Sequence, residues 1–359
     1  MKKFFVPFVL LTLIAAVGCK KHNQDFQVIA TPPSVEKKWV VTTVAGNGTA
    51  SFVNGEALSA TFHFPEDVAV DRNGNIYVTD ALNFCIRKIV NGGVSNFAGG
   101  SSAGIENGIG TSAQFRNPYS VALDATGNLY TSDENDPRIR KISPAREVSV
   151  YAGTETMGFA DGNAGMARFS LGNSITADAL GNLYVADAMN SRIRKVSISG
   201  QVTTVAGSGV FGFNDGAAAT ARFATPGGIV VDAHGNLYVA DRANFRIRKI
   251  TPEGFVSTIA GSGIEGYRDG NVNEARFTID IHDIVIDRQG NLYLADDNRI
   301  RKISPEGIVS TIAGSTPGFQ DGEGSSARFN FPAGMGIDGS GNLYVADLNN
   351  NRIRKISFE

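Results

Sequence analysis

The chain has 359 residues, 42% of them hydrophobic and 19% charged, which is enough apolar content for a large packed core and excludes a disordered polymer. The net charge is −2 and the 33 basic residues recur evenly along the chain, so no basic patch points to a nucleic-acid partner. The chain has two cysteines, Cys19 and Cys85, and with Cys19 assigned to the processing signal below only Cys85 remains, so the mature fold must be held by packing and not by an internal disulfide.

The first element in chain order is an export signal. Lys2 and Lys3 precede an apolar run from Phe4 to Val17, long enough for a signal core and too short to span a bilayer comfortably. It ends in Ala16-Val17-Gly18-Cys19, which resembles the lipobox of bacterial lipoproteins with Ala16 in the place usually held by Leu. Residues 1–19 are therefore expected to be a lipoprotein signal peptide, with Cys19 the lipidated first residue of the mature chain. Each buried acyl methylene contributes about 0.8 kcal/mol, so several chains on Cys19 would hold the protein at a membrane without a transmembrane helix. Residues 20–38, polar and interrupted by Pro32-Pro33, read as a tether. The expected location is extracytoplasmic. Lys20-Lys21, in place of an aspartate after the cysteine, favours the outer membrane and leaves its two faces undecided.

Beyond the tether the chain repeats. Gly-Asn-(Ile/Leu)-Tyr begins at Gly74, Gly127, Gly181, Gly235, Gly290 and Gly341, at intervals of 53, 54, 54, 55 and 51 residues. The fourth copy displays the order of elements: 228–232, 235–241, 246–250 and 256–260 are short β-branched runs bounded by turn residues. The Asp-x-x-Gly-Asn between the first two runs is a tight hairpin loop in which Gly takes positive φ and Asp accepts from amides two residues on. Six four-stranded antiparallel meanders without helical periodicity predict an all-β, six-bladed β-propeller.

The ends of the array say how it closes. Glu359 follows soon after Arg354-Lys355-Ile356, so the sixth copy lacks a fourth strand, while Val41-Thr42-Thr43-Val44-Ala45-Gly46 matches Val202-Thr203-Thr204-Val205-Ala206-Gly207 with no first three strands before it. A strand at about residues 40–45 should complete the last blade and leave no open sheet edge, making residues 39–359 one closed propeller.

With these residues in view, Pro226-x-x-Ile229, Asp232-x-x-Gly235-Asn236-Leu237-Tyr238-Val239-Ala240-Asp241 and Asn244-x-Arg246-Ile247-Arg248 resemble the NHL repeat. The resemblance covers residues 39–359. It implies the propeller and leaves function open, because the fold hosts both binding proteins and enzymes.

A residue present in all six blades forms a ring and reads as structural. The turn aspartates and the aspartates ending the second strand (Asp80, Asp133, Asp187, Asp241, Asp296, Asp347) fall in this class. The latter are expected to pair with the arginine that opens the third strand: Arg138, Arg192, Arg246, Arg299 or Arg352. Blade one has Cys85 there, read as a small apolar substitution. Phe62, Phe115, Phe169, Phe223, Phe277 and Phe329 in the long connecting loops are expected to plug the spaces between blades.

Positions that break the pattern are the candidates for a site. At the mouth of the inner strands the blades carry, in order, Glu66, Tyr119, Asn173, Gly227, His282 and Ala333, followed by Asp67, Ser120, Ser174, Gly228, Asp283 and Gly334. Blade five also has one extra residue between Phe277 and Asp287, and a shortened loop at Asp296–Arg299. Glu66, Asp67, Tyr119, Asn173, His282 and Asp283 thus form a lopsided polar rim for a ligand. If a divalent cation binds, Glu66, Asn173, His282 and Asp283 are its donors. No nucleophile motif of the Gly-x-Ser-x-Gly or His-Glu-x-x-His kind occurs. The expected function is that of a monomeric, membrane-anchored binding protein with no obligatory cofactor, presenting a propeller face to a glycan, peptide or protein ligand. A metal-dependent lyase or lactonase at the channel mouth is the alternative.

Overall fold

The computed structural model describes residues 36–100, 102–172 and 174–359, so the signal segment, Cys19, the tether through residue 35 and Asn173 lie outside the described residues. The β-branched runs form six antiparallel sheets, and the inner strand of each touches the inner strands of its two neighbours around a closed ring. No α-helix occurs among the described residues. Blade four is representative: the chain runs through an inner strand (Pro226–Val231), a second (Leu237–Asp241), a third (Arg246–Ile250) and an outer strand (Phe255–Ala260).

Each sheet has a fifth member that the four-strand pattern did not reveal. In blade four it is Gly216–Ala217, which comes from the connecting loop and pairs with Val256 and Phe255 of the outer strand. The loop from one blade therefore crosses to the far edge of the next, caps its outer strand, and returns to the axis. Two residues are too short to read as a strand from sequence, but they cover an edge that would otherwise expose unpaired amides.

The ring closes as predicted. Trp39–Ala45 pairs with Arg352–Phe358, with Val41 opposite Ile356, and on its other side with Gly322–Glu323. This strand starts on the face of the Asp-x-x-Gly-Asn hairpins and ends on the face of the connecting loops. The hairpins also form as expected. Asp232 Oδ1 accepts from the amides of His234 and Asn236 at 2.8 and 2.9 Å, its Oδ2 accepts from the Asn236 side chain at 2.7 Å, and Gly235 sits at φ +81°.

The six connecting-loop phenylalanines are fully buried between blades. Phe223, for example, packs with Tyr184, Ile193 and Ala206 of blade three and with Ile229, Leu237 and Val239 of blade four. Each blade contributes both faces to such clusters, so the core is a ring of inter-blade seams.

One pairing differs from the sequence reading. The aspartate ending the second strand binds the other arginine of the Arg-x-Arg motif: Asp241 Oδ2 accepts from Arg248 Nη1 at 2.6 Å, and the same pair forms as Asp80–Arg87, Asp187–Arg194, Asp296–Arg301 and Asp347–Arg354. The reason is depth. Arg248 is fully buried and its charge requires a buried counter-charge. Arg246, one pleat nearer solvent, stacks over Phe213 at 4.1 Å and donates to the carbonyls of Asn244 and Ser262. Blade two departs from both schemes, because Arg138 pairs with Asp136, and Arg140 is held by the carbonyls of Gln114 and Glu106 and by Asn107 Oδ1. Cys85 is fully buried beside these networks, as its small apolar reading implies.

Candidate functional site

The inner strands converge at the connecting-loop face, and two successive residues of each strand build the channel there. The deeper tier, Asp67, Ser120, Ser174, Gly228, Asp283 and Gly334, stitches neighbouring blades together. Asp67 accepts from the Val121 amide at 2.8 Å and from Ser120 Oγ at 2.9 Å. Ser120 Oγ accepts in turn from the Ile175 amide at 3.2 Å, and Asp283 Oδ2 accepts from the Met335 amide at 2.8 Å. Gly228 and Gly334 serve by having no side chain, since a Cβ on either would run into the backbone of Asp283 or Asp67 in the adjoining blade. The throat is narrow as a result. Its cavity of about 20 Å³ is lined by Glu66, Asp67, Tyr119, Ser120, Ser174, His282, Asp283, Ala333 and Gly334, room for about one water molecule.

Five of the six proposed rim residues are thus brought together, and the sixth, Asn173, lies outside the described residues. The upper tier differs from the throat below it in having unpartnered polar groups. Neither the Glu66 carboxyl nor the Tyr119 hydroxyl makes a hydrogen bond to a described residue, and His282 Nε2 is buried without a partner while its ring packs 4.4 Å from Phe331.

Burial governs the protonation of this cluster. It pushes the Glu66 carboxyl up to about 8, helped by the charges of Glu134 and Asp67. Asp67 is raised to about 7 by burial, against the lowering effect of its hydrogen bonds. Asp283 is raised well above the ordinary carboxylate range by burial and by Asp67 across Gly334. Burial and the nearby Arg242 guanidinium lower His282 to about 3. At neutral pH the mouth therefore presents a protonated Glu66, a neutral imidazole and a neutral phenol, which are hydrogen-bonding groups and not anions.

Among the described residues no three His, Cys, Asp or Glu side chains converge as ligands, and Asp67 and Asp283 already accept from main-chain amides.

The sequence reading missed Arg242 and Glu134. Both follow the aspartate that ends the second strand, a position filled elsewhere by Ala81, Ala188, Asp297 and Leu348. Arg242 accounts for the bare mouth of blade four: a Cβ on Gly227 would collide with Arg242 Cδ, so glycine makes the room in which the arginine lies inward. Its guanidinium is close enough to act on both Tyr119 and His282, and Nε donates to the Ile279 carbonyl at 3.0 Å. Glu134 accepts from the Asn117 side chain and faces Glu66. Comparing this second loop position across blades would have exposed both residues.

Larger concavities open on the hairpin-turn face, including a groove of about 710 Å³ between blades four and five. Its carboxylates, Asp232 and Asp287, are held by their own turns, and its other polar side chains include His234, Lys249, Arg288 and Gln289.

Comparison with known proteins places the chain in a class. The NHL repeat model matches residues 62–89, 223–250 and 329–356, the first three strands of blades one, four and six. The chain is a six-bladed propeller, and three of its six blades carry segments that match the NHL repeat. Among curated relatives it is 28% identical to teneurin-1 of Gallus gallus over 94% of its own length, and it spans 14% of that much longer protein. Among solved structures it resembles an auxiliary nutrient binding protein from Bacteroides ovatus, with a TM-score of 0.67, 19% identity and coverage of 90% of this chain and 77% of the other. A gluconolactonase from Xanthomonas campestris aligns with a TM-score of 0.58 and 10% identity, covering 89% of each chain. At these identities the structural matches define the fold alone.

Proposed function

We propose that the protein is an extracytoplasmic lipoprotein, anchored through Cys19 at the outer membrane, that binds a polar ligand in the mouth of its connecting-loop face. The ligand is part of a glycan, peptide or protein. The observation that carries this reading is a cluster within the mouth: Glu66, Tyr119 and His282 Nε2 are drawn to one cavity and have no hydrogen-bond partner among the described residues. Connecting-loop tips on the same face add exposed apolar area, with Val210, Phe211 and Ile264 each more than half exposed. The propeller's first strand begins on the face opposite the mouth. Likeness to a nutrient binding protein agrees with this role.

The test is a thermal-shift screen of the full chain in detergent against sugars, uronates and short peptides, repeated with Glu66→Gln and Tyr119→Phe. Hits weakened by both substitutions are expected. Hits indifferent to both, or metal-dependent turnover of a lactone, would overturn the binding reading. Fractionation tests the anchor: the native chain should sediment with outer membrane, and Cys19→Ser should release it.

A further inference from the structure

We infer that the group received in the mouth is a carboxylate, clamped by Arg242; this rests on the binding role proposed above and names its ligand class. The argument begins with an unused charge. Arginine stays protonated in proteins, and the other deeply placed arginines of this fold each have a fixed set of acceptors. Arg242 has no carboxylate within ion-pair distance among the described residues, and its one hydrogen bond uses Nε, which leaves both terminal nitrogens free. Its side chain lies over the position where Gly227 lacks a Cβ, and its charge acts on Tyr119 of blade two and His282 of blade five.

The groups around it are donors of matching kind. The Tyr119 hydroxyl, the protonated Glu66 carboxyl and an N–H at His282 Nε2 can each act as a donor within the same mouth, none of them having a hydrogen-bond partner among the described residues. A planar monoanion is what a guanidinium fork and three neutral donors recognise together. A phosphate dianion fits less well, because a second negative charge would meet Glu134 and the shared Asp67–Asp283 charge with no second cation to offset it. The throat below admits about one water, so the carboxylate is the leading group of the ligand and the remainder stays above the rim, on the side of the exposed loop tips. Blade four, which looks empty in the sequence, supplies the charge because glycine at position 227 lets a side chain from the next loop occupy the space.

The experiment compares glucuronate with glucose and acetate with acetamide, by thermal shift and ligand-observed NMR, on the full chain in detergent and on Arg242→Gln. Binding of the acids and not of their neutral counterparts, weakened tenfold or more in Arg242→Gln with the ligand-free melting temperature unchanged, is the expected result. Gly227→Ala provides an independent check: its methyl group should displace Arg242 and weaken the acids while leaving every polar side chain of the mouth in the sequence. Arg242→Lys should recover part of the affinity. If neutral sugars or peptides bind in a Tyr119-dependent way and the acids do not, the carboxylate assignment fails while the binding role stands. If no probe binds at the mouth, both fall.

Discussion

Two arginine-bearing regions of this propeller lie on the same connecting-loop side and obey opposite rules. In the loop network Arg248 is fully buried and meets Asp241, Asp215 and the carbonyls of Asn214 and Arg222. In the mouth Arg242 is partly buried and meets one carbonyl. The first arrangement recurs around the ring and ties each connecting loop to its own blade; the second stands at a position where no other blade carries arginine. A fold satisfies the polar groups it needs for its own stability, so unsatisfied groups gathered in one place mark where something else is to be met.

The largest effect should come from the loop network. Arg248→Met leaves Asp241 buried without its counter-charge and should cost about 3–5 kcal/mol in urea unfolding. Blade two sharpens this. Arg140 faces carbonyls and an amide oxygen and has no ion pair to a carboxylate, so Arg140→Met strands no charge and should cost clearly less. Equal losses would break the distinction between charge pairing and simple filling of space.

The mouth should reveal itself through pH. Glu66 rises from 4.5 to about 8 and Asp67 from 3.8 to about 7 on folding, so the folded chain holds protons that the unfolded chain has released. Their stabilisation is complete below the unfolded values and is lost as pH climbs through 7 and 8. His282, lowered from 6.5 to about 3, works the other way below pH 6.5 and partly masks the trend there. Melting temperature should therefore fall most steeply above pH 6.5, by about 5 °C up to pH 8, and Glu66→Gln should flatten the curve. A profile unchanged by Glu66→Gln would mean that the carboxyl is not desolvated by the mouth.

A smaller effect concerns Cys85, which is fully buried and whose thiol is pushed well up by burial and by Asp80. It should resist thiol reagents in the native chain and react once the chain is unfolded. Rapid native labelling would show that blade one opens locally.

The architecture was legible because repetition reports it many times over. Six copies of one turn, six phenylalanines and a displaced N-terminal strand leave a single way to close the ring. What escaped notice was short or depended on depth. Gly216–Ala217 carries no strand pattern of its own, and Arg246 and Arg248 are indistinguishable by residue type until burial shows which one needs Asp241. The rim residues were legible as breaks in the repeat. Arg242 stands out in its own column, but its place over the mouth depends on the missing Cβ of Gly227 in a neighbouring strand, and an alignment of single columns does not place those two positions together.

Tyr119→Phe gives the smallest change in stability and the cleanest separation of the two regions. The hydroxyl has no partner among the described residues, so removing it should leave the melting temperature of the free protein within about a degree. Ligand affinity should drop about two- to tenfold, the worth of one hydrogen bond exchanged for water. The two readouts move apart only if the hydroxyl is held in reserve for a ligand. A structural hydroxyl would lower stability, and an idle one would leave both quantities unchanged, so measuring melting temperature and affinity on this one variant decides whether the mouth is a binding site or merely the place where six strands meet.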